Sequence, residues 1–261
     1  CLESTDPTDP MLLLLDIGNT HTHAGLAGPR SIRRTRDFDT AALRAGTLLP
    51  EFRRWLGRDR ITEAVLCSVV PAATPAAQAM VTSLLGREGL QLTPKTLRGV
   101  EIDYPQPQRI GQDRLANALA ARHHFGAPVV VVDFGTAVTF DVVDRRGYYI
   151  GGIIAPGLAA LTDYLHEKTA LLPRVRIREP RRFVGRSTEE AMLAGAVHGY
   201  RGLVRELIRG LRQELGARRL PVIATGGYAT LIARHLPEIQ CVRPRLTLEG
   251  LRLLALAHHT P

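Results

Sequence analysis

The sequence predicts an α/β fold that consists of two similar domains. An apolar strand pattern that ends in aspartate and continues into a glycine turn occurs twice, at Asp16 and at Asp133, about one domain length apart. Helical patterns follow the strands in both halves, as expected for domains with central sheets. Between the two copies, the helix-breaking residues 126–128 mark a boundary, so we expect domains at residues 11–127 and 128–261.

The composition is that of a globular protein with a sizeable core, since 45% of the 261 residues are apolar. The net charge of +9 could indicate a polyanionic partner. Nearly all the basic residues are arginines scattered along the chain, however, and no helix-turn-helix or zinc-finger pattern is present. A general arginine bias explains the charge at least as well, so we expect no nucleic-acid partner.

The first residues of the chain and the three cysteines indicate where in the cell the protein is expected. Residues 1–10, rich in Pro, Asp and Thr, are expected to form a disordered leader, with Met11 beginning the fold. The apolar stretch Leu12–Leu15 is far too short to cross a bilayer, so no membrane association is expected. Three cysteines without metal-ligand spacing fit a reduced protein, and we therefore expect a cytoplasmic location.

In the first half, apolar runs and turn residues define the elements. Thr40 is a plausible N-cap, and Pro75 suits the first turn of a helix. A proline-rich loop at 104–111 precedes a helix that begins at Gln112. The expected strands are 12–16, 21–26, 31–38 and 64–68, and the expected helices are 40–56, 75–85 and 112–125.

The second half opens with four consecutive valines, a β-branched run that is typical of a strand covered on both faces. Further along the chain, an irregular, arginine-rich segment at 173–186 precedes one or two long helices at 187–215. The other expected strands are 138–143, 148–155 and 221–225. One further helix is expected after Gly157 and ends near Ala170, and two others are expected at 228–235 and 246–258.

The two aspartate-glycine turns are candidate phosphate sites. In such a turn the backbone amides can face phosphate oxygens, and the carboxylate can hold a cation. Alone, each turn is also a common structural feature. The chain has neither a GxxxxGK[ST] loop nor GxGxxG after a strand, which disfavours P-loop and Rossmann binding.

A third element follows the two turns: a strand that meets Thr225, Gly226 and Gly227 before a helix. In order and spacing, the three elements resemble the nucleotide contacts of the actin, hexokinase and Hsp70 superfamily. This resemblance implies two ribonuclease-H-like (actin-like ATPase) domains with an ATP cleft between them.

A fuller set of motifs is more specific. In chain order it reads DIGNT at 16–20, GQDR at 111–114, DFGTA at 133–137, GGIIAPG at 151–157, TALLP at 169–173 and GRST at 185–188. The set resembles the type III pantothenate kinases over essentially residues 11–258. The resemblance implies ATP-dependent phosphorylation of pantothenate to 4′-phosphopantothenate, the first step of coenzyme A biosynthesis.

The resemblance also implies roles for single residues. Asp113 would be the general base, Asp133 the ligand of a monovalent cation, K⁺ or NH₄⁺, and Thr188 a pantothenate contact from the neighbouring subunit of a homodimer. ATP and a divalent ion, Mg²⁺, would be handled by Asp16, Ile17, Gly18, Asn19, Thr20, His21, Thr22 and His23, with Thr136 from the second turn. Pantothenate would also contact Tyr104, Gly111, Gln112 and Arg114.

Elementary chemistry agrees with part of this assignment. Phosphoryl transfer depends on positioning, charge neutralisation and a base for the acceptor. Asp113 lies in the first turn of an expected helix, and Arg114 can bind a carboxylate such as that of pantothenate through two parallel hydrogen bonds. Outside the motif set, a capping carboxylate and a solvated arginine would be the preferred explanation of these two residues; within the set, the functional explanation is preferred.

Other interpretations stay open. The fold does not determine the acceptor, so another kinase of the same superfold is one alternative. A non-catalytic, transcription-related accessory relative is another. His21 and His23 alternate along a strand as metal ligands do, but no further ligand completes a set. The segment 151–157 is expected to be a structural turn.

Overall fold

The computed structural model describes residues 10–259. Apart from Pro10, the expected leader lies outside the described residues. The chain divides into two compact units. The first unit contains the residues up to His123 and those from Leu246 onward, and the second unit contains His124–Arg245. In residues 10–259, no helix is both long and apolar enough to cross a membrane.

The first part of the chain forms six strands, four α-helices and a short 3₁₀ turn. They are β1 (Met11–Ile17), β2 (His21–Ala27), β3 (Ile32–Asp39), α1 (Thr40–Arg44), α2 (Leu49–Leu56), β4 (Ile61–Ser68), α3 (Thr74–Leu85), β5 (Leu90–Gln91), β6 (Glu101–Ile102), the 3₁₀ turn Pro107–Arg109 and α4 (Gln112–Phe125).

The remaining elements belong to the second unit, except for the last helix, which belongs to the first. They are β7 (Val129–Phe134), β8 (Ala137–Val143), β9 (Tyr148–Pro156), α5 (Leu158–Lys168), α6 (Thr188–Glu214), β10 (Val222–Thr225), α7 (Ala229–Ala233), β11 (Cys241–Val242) and α8 (Leu246–His259).

The first unit is built on a sheet with the strand order β3-β2-β1-β4-β5. Strands β1, β2 and β3 form antiparallel pairs, whereas β4 pairs parallel to β1, and β5 parallel to β4. Apolar residues of β1, such as Leu13 and Leu15, are fully buried and pack in one core with Phe38 and Phe52. The sheet is therefore held by the leucine-rich first strand at its centre.

The second unit repeats this arrangement. Within it the strands lie in the order β9-β8-β7-β10-β11. Strands β7, β8 and β9 form antiparallel pairs, and β10 and β11 run parallel to β7. All four valines of β7 are buried, and Val130 and Val132 share a core with residues of the single 27-residue helix α6, namely Val197, Tyr200 and Val204. The expectation of two similar α/β domains is confirmed.

Two details differ from the expected elements. The expected helix at 40–56 is interrupted, because α1 ends at Arg44 and α2 begins at Leu49, and the N-cap is Asp39, whose carboxylate accepts a hydrogen bond from the amide of Ala41. Residues 151–157 were expected as a structural turn that overlaps the strand expected at 148–155, and they are mostly strand, since β9 spans Tyr148–Pro156. Neighbouring strands decide such boundaries, and local patterns do not show them.

The last helix also lies differently from the expected division at 127/128. Helix α8 packs against the sheet of the first unit instead of the second. Gly250 makes this possible: a Cβ atom there would lie 2.1 Å from the carbonyl oxygen of Ala116 in α4. The Thr247 hydroxyl also donates to the side-chain oxygen of buried Asn117, at 2.9 Å. The packing of α8 in the first unit thus depends on contacts between residues more than a hundred positions apart in the chain.

Candidate active site

The first candidate phosphate turn joins β1 to β2 at residues 18–20. The Gly18 amide donates to the His21 carbonyl oxygen at 3.0 Å, and the Thr40 hydroxyl donates to the Gly18 carbonyl oxygen at 2.8 Å. Asn19, Thr20 and His21 are exposed, while Asp16 is half-buried at the end of β1. The turn is thus held from inside and presents its outer backbone to solvent.

Two of the expected ATP contacts have side chains that lie in the interior. Ile17 is fully buried in the core of the first unit. Thr22 is also fully buried, and its hydroxyl shares a 3.0 Å hydrogen bond with that of Thr40. At these two positions only the backbone is available to a nucleotide.

The histidines of β2 lie on the exposed face of their strand. The rings of His21 and His23 are 6.4 Å apart between centroids. His23 Nδ1 lies 2.7 Å from Asp37 Oδ1, so this ring is already hydrogen-bonded. Among the described residues, no group of three or more His, Cys, Asp and Glu side chains could hold a metal ion. The strand alternation was visible in the sequence, but it builds no metal site there.

A cysteine that the sequence did not single out lies beside Asp16. Cys67 is the register partner of Asp16 in the parallel pair β1–β4, and its thiol donates to Asp16 Oδ1 at 3.3 Å. Complete burial raises the pKa of the Cys67 thiol well above its usual value, and the negative charges of Asp16 and Asp113 raise it further. The sequence placed Cys67 near the end of a strand, but the strand register that pairs it with Asp16 became visible only in the structure.

The second group of expected residues surrounds the start of α4. Asp113 Oδ1 accepts a hydrogen bond from the Arg114 amide at 2.8 Å. A Cβ atom at Gly111 would lie only 2.5 Å from the same oxygen, so glycine leaves the space that the carboxyl occupies. Burial raises the pKa of Asp113, and the backbone amide and the charge of Arg114 oppose this rise. Asp113 is therefore a more basic carboxylate than an exposed aspartate.

Gln112 connects this group to β4. Its side-chain oxygen accepts a 2.9 Å hydrogen bond from the Ser68 amide, which directly follows Cys67. In the first unit, the structure thus brings Asp16, Cys67 and the start of α4 to the carboxyl ends of β1 and β4. Ligands in open α/β sheets bind at such strand ends. Tyr104, also an expected substrate contact, is 40% exposed.

The second candidate phosphate turn joins β7 to β8 at residues 135–136. The Gly135 amide donates to the Ala137 carbonyl oxygen at 3.1 Å. Asp133 is the register partner of Thr225 on β10, and a Cβ atom at Gly226 would lie 2.5 Å from Asp133 Oδ1. Gly226 has φ 89°, a conformation that glycine adopts without strain. The Thr-Gly-Gly segment identified in the sequence thus packs directly on the carboxylate of Asp133.

Gly157, the last residue of the GGIIAPG motif, packs on the same turn. Its amide donates to the Thr136 carbonyl oxygen at 3.1 Å, and a Cβ atom at Gly157 would lie 2.2 Å from that oxygen. The buried Tyr200 hydroxyl donates to the carbonyl oxygen of Pro156 at 3.1 Å. The motif therefore supports the backbone of Thr136, in line with the structural role expected for it.

Thr188 is the first residue of α6 and is exposed. The side chain of Ser187 caps the helix by accepting from the Glu190 amide at 3.2 Å, and Glu190 accepts from the Arg186 amide at 2.8 Å. These two hydrogen bonds hold the GRST motif at the start of α6.

Comparisons with known proteins agree with this geometry. The family described as type III pantothenate kinase matches residues 12–210. A type III pantothenate kinase from Akkermansia muciniphila is 46% identical over 243 residues, which cover 93% of this chain and 97% of that protein.

Solved structures show the fold. A candidate 2-dehydro-3-deoxygalactonokinase from Sinorhizobium meliloti superimposes with a TM-score of 0.60 at 14% identity, over 96% of this chain and 100% of the other. A protein described as a candidate Baf family transcriptional activator from Campylobacter jejuni gives a TM-score of 0.61 at 18% identity, over 94% and 98%. These likenesses support the actin-like kinase architecture, and the family match together with the near full-length identity shows that the chain belongs to the type III pantothenate kinases.

Proposed function

We propose that this protein transfers the γ-phosphoryl group of ATP to the primary hydroxyl of pantothenate, giving 4′-phosphopantothenate and ADP in the first step of coenzyme A biosynthesis. Membership of the type III pantothenate kinase family over nearly the whole chain carries this proposal. The arrangement of Asp113 and Arg114 supports it, because a half-buried carboxyl lies beside a cation at the start of α4.

Asp113 is the general base of the proposed reaction. Its carboxylate accepts the proton of the primary hydroxyl as the oxygen bonds to the γ-phosphorus, and the bond from that phosphorus to the β,γ-bridging oxygen breaks. Because burial raises the pKa of Asp113, its ionised form is a better proton acceptor than an exposed aspartate. A positioned base of this kind contributes about 10²- to 10⁴-fold to the rate.

Arg114 orients the acceptor in this proposal. Its guanidinium can bind the carboxylate of pantothenate through two parallel hydrogen bonds, which fixes direction as well as distance. Gly111, Tyr104 and the backbone of Gln112 form the rest of the acceptor site. The side-chain oxygen of Gln112 is already bonded to the Ser68 amide, so this side chain supports the site from behind.

ATP is bound by the two turns in this proposal. The backbone at 18–20 and the hydroxyls of Thr20 and Thr136 face its phosphates. Asp16 would hold Mg²⁺ together with the phosphate oxygens. One carboxylate fits this ion, because Mg²⁺ keeps several waters and uses one or two protein carboxylates plus substrate phosphates. The ion would neutralise charge on the transferred group.

Asp133 would hold the monovalent cation, K⁺ or NH₄⁺. The carboxylate lies near the end of β7, and the backbone of Gly226 packs directly on it. A cation there would offset phosphate charge beside Thr136.

We further propose a cytoplasmic homodimer in which Thr188 completes the pantothenate site of the neighbouring subunit. Light scattering after gel filtration measures the number of subunits.

The decisive test is Asp113→Asn, assayed with ATP, Mg²⁺ and K⁺ against pantothenate and a panel of sugars. We expect wild type to phosphorylate pantothenate alone and the variant to lose about 10²- to 10⁴-fold in kcat while still binding ATP. Asp59→Asn is the matched control, because Asp59 forms a surface pair with Arg34 at 2.7 Å and such pairs contribute little.

Two outcomes would contradict the proposal. Folded wild-type protein that phosphorylates a sugar, or no acceptor at all, would exclude pantothenate kinase activity. Near-normal turnover of Asp113→Asn would show that another group is the base.

A further inference from the structure

The end of β4 contacts both halves of the candidate site in the first unit. Cys67 faces Asp16 across the parallel pair, with the sulfur 3.3 Å from Asp16 Oδ1. The next residue, Ser68, donates its amide to Gln112, the residue before Asp113. Two consecutive residues of one strand thus bond to the phosphate turn and to the segment that carries the base.

The thiol can act only as a donor in this contact. Asp16 is a carboxylate acceptor, and the Cys67 side chain is completely buried. The hydrogen between the sulfur and Asp16 Oδ1, which are 3.3 Å apart, is therefore that of the thiol. A protonated thiol beside a carboxylate orients it without adding charge, whereas a lysine or arginine at this place would neutralise it.

The backbone of this strand end is itself held firmly. The Ser68 hydroxyl donates to the Val70 carbonyl oxygen at 3.2 Å and accepts from the Thr74 hydroxyl at 2.9 Å. These bonds tie the strand end to the start of α3. The donors of Cys67 and Ser68 are therefore presented from a fixed support, as pre-organised sites require.

We propose that Cys67 is a positioning residue for phosphoryl transfer, whose thiol proton holds the carboxylate of Asp16 in the orientation that the metal-bound phosphates of ATP need. The inference rests on the proposed function, because it assigns Asp16 to those phosphates. Cys67 itself touches neither substrate. The simpler interpretation is that Cys67 only fills the core, as buried free cysteines often do.

Two substitutions separate these interpretations. Cys67→Ser keeps a donor, while Cys67→Val keeps an apolar side chain of similar size and suits a strand. We expect Cys67→Val to weaken MgATP binding, measured by calorimetry without pantothenate, by about 3- to 10-fold, as for loss of one hydrogen bond. Cys67→Ser should stay within about 2-fold of wild type, and the KM for pantothenate should not change in either variant.

If Cys67 only fills the core, the valine variant should be closer to wild type than the serine variant. In that case Cys67→Val would match wild type in nucleotide affinity, and Cys67→Ser would lose thermal stability through its buried hydroxyl. Equal affinity of both variants for MgATP, or losses that only follow their melting temperatures, would overturn the proposal.

A direct measurement avoids reliance on these variants if one of them folds poorly. The infrared S–H stretch that disappears in Cys67→Ser should lie at lower frequency than that of a free thiol, and it should move upward in Asp16→Asn. An unshifted band would contradict the hydrogen bond. Neither the MgATP binding measurement nor the infrared spectrum needs pantothenate. If the wild-type protein did not phosphorylate pantothenate, the proposed function would be overturned, and the role of Cys67 would still be decided by these two measurements.

Discussion

The two aspartate turns are built on the same strand order and differ in what lies beside the carboxylate. Asp16 and Asp133 each end the central strand of a sheet in which an antiparallel hairpin lies on one side and parallel strands on the other. On the neighbouring parallel strand, Asp16 meets Cys67, a hydrogen-bond donor, and Asp133 meets Thr225, which is followed by a glycine that packs on the carboxylate.

This difference shows how one strand order can place two aspartates in different surroundings. The strand order alone delivers a carboxylate to the same place in both units. The residues at the end of the next strand then decide whether a donor side chain or a closely packed glycine lies beside that carboxylate. The turns also differ in length, since residues 18–20 separate β1 from β2 and residues 135–136 separate β7 from β8. In the proposed function, the carboxylate beside Cys67 is assigned to Mg²⁺ and the carboxylate beside Gly226 to the monovalent ion.

The largest expected effect tests the close packing of Gly226 on Asp133. Gly226→Ala would place a Cβ atom 2.5 Å from Asp133 Oδ1 and 2.6 Å from the Phe134 amide nitrogen, at φ 89°. Backbone strain of about 1–2 kcal/mol and overpacking of about 1–3 kcal/mol should lower the free energy of unfolding, measured in denaturant.

The adjacent residue provides the control for this substitution. A Cβ atom at Gly227 would meet nothing within 4 Å. Gly227→Ala should therefore leave stability nearly unchanged. Equal effects of the two alanines would show that close packing on Asp133 is not what requires glycine.

The next effect separates the two carboxylates by the ions they hold. Asp16→Asn should lower kcat/KM for MgATP by about 10- to 100-fold, because a charge-assisted interaction is worth about 1.5–3 kcal/mol. Asp133→Asn should instead abolish the response of the rate to added K⁺. Titrations of Mg²⁺ and K⁺ on both variants make the comparison. If both variants lose the same ion dependence, the division of tasks between the two turns is wrong.

The smallest effect concerns pH. The base must be ionised, so kcat/KM for pantothenate should fall as the pH decreases through the raised pKa of Asp113, above the value of about 3.9 for a free aspartate. Arg114→Ala removes a charge that lowers this pKa, so the acid limb should move to higher pH. Arg114→Lys keeps the charge and should hold the limb in place. An unmoved limb in Arg114→Ala would exclude Asp113 as the titrating group.

The same pKa has a consequence for stability with a definite sign. A carboxyl whose pKa is raised on folding binds its proton more tightly in the folded state, so its contribution to stability is lost as the pH rises through the folded pKa. Asp113→Asn has no charge to bury. Thermal unfolding at neutral pH should therefore show this variant to be at least as stable as wild type, in spite of its lost activity.

Much of the site was predictable because its signals are contiguous in the chain. The strand-aspartate-glycine pattern at Asp16 and Asp133 needs only neighbouring residues, and so does the placement of Asp113 in the first turn of α4. The order of the motifs then identified the family. The interruption of the expected helix at 45–48 was less accessible, because packing between elements decides where a helix ends.

The sequence by itself thus determined two α/β domains, and it predicted two candidate phosphate turns and a candidate base, since each depends on a short run of residues. Only the tertiary structure decided which side chains lie beside the carboxylates. Cys67 reaches Asp16, Gly226 reaches Asp133 and α8 returns to the first sheet through strand register and packing between distant segments. Those contacts depend on how many residues pack at once, and no local pattern records them.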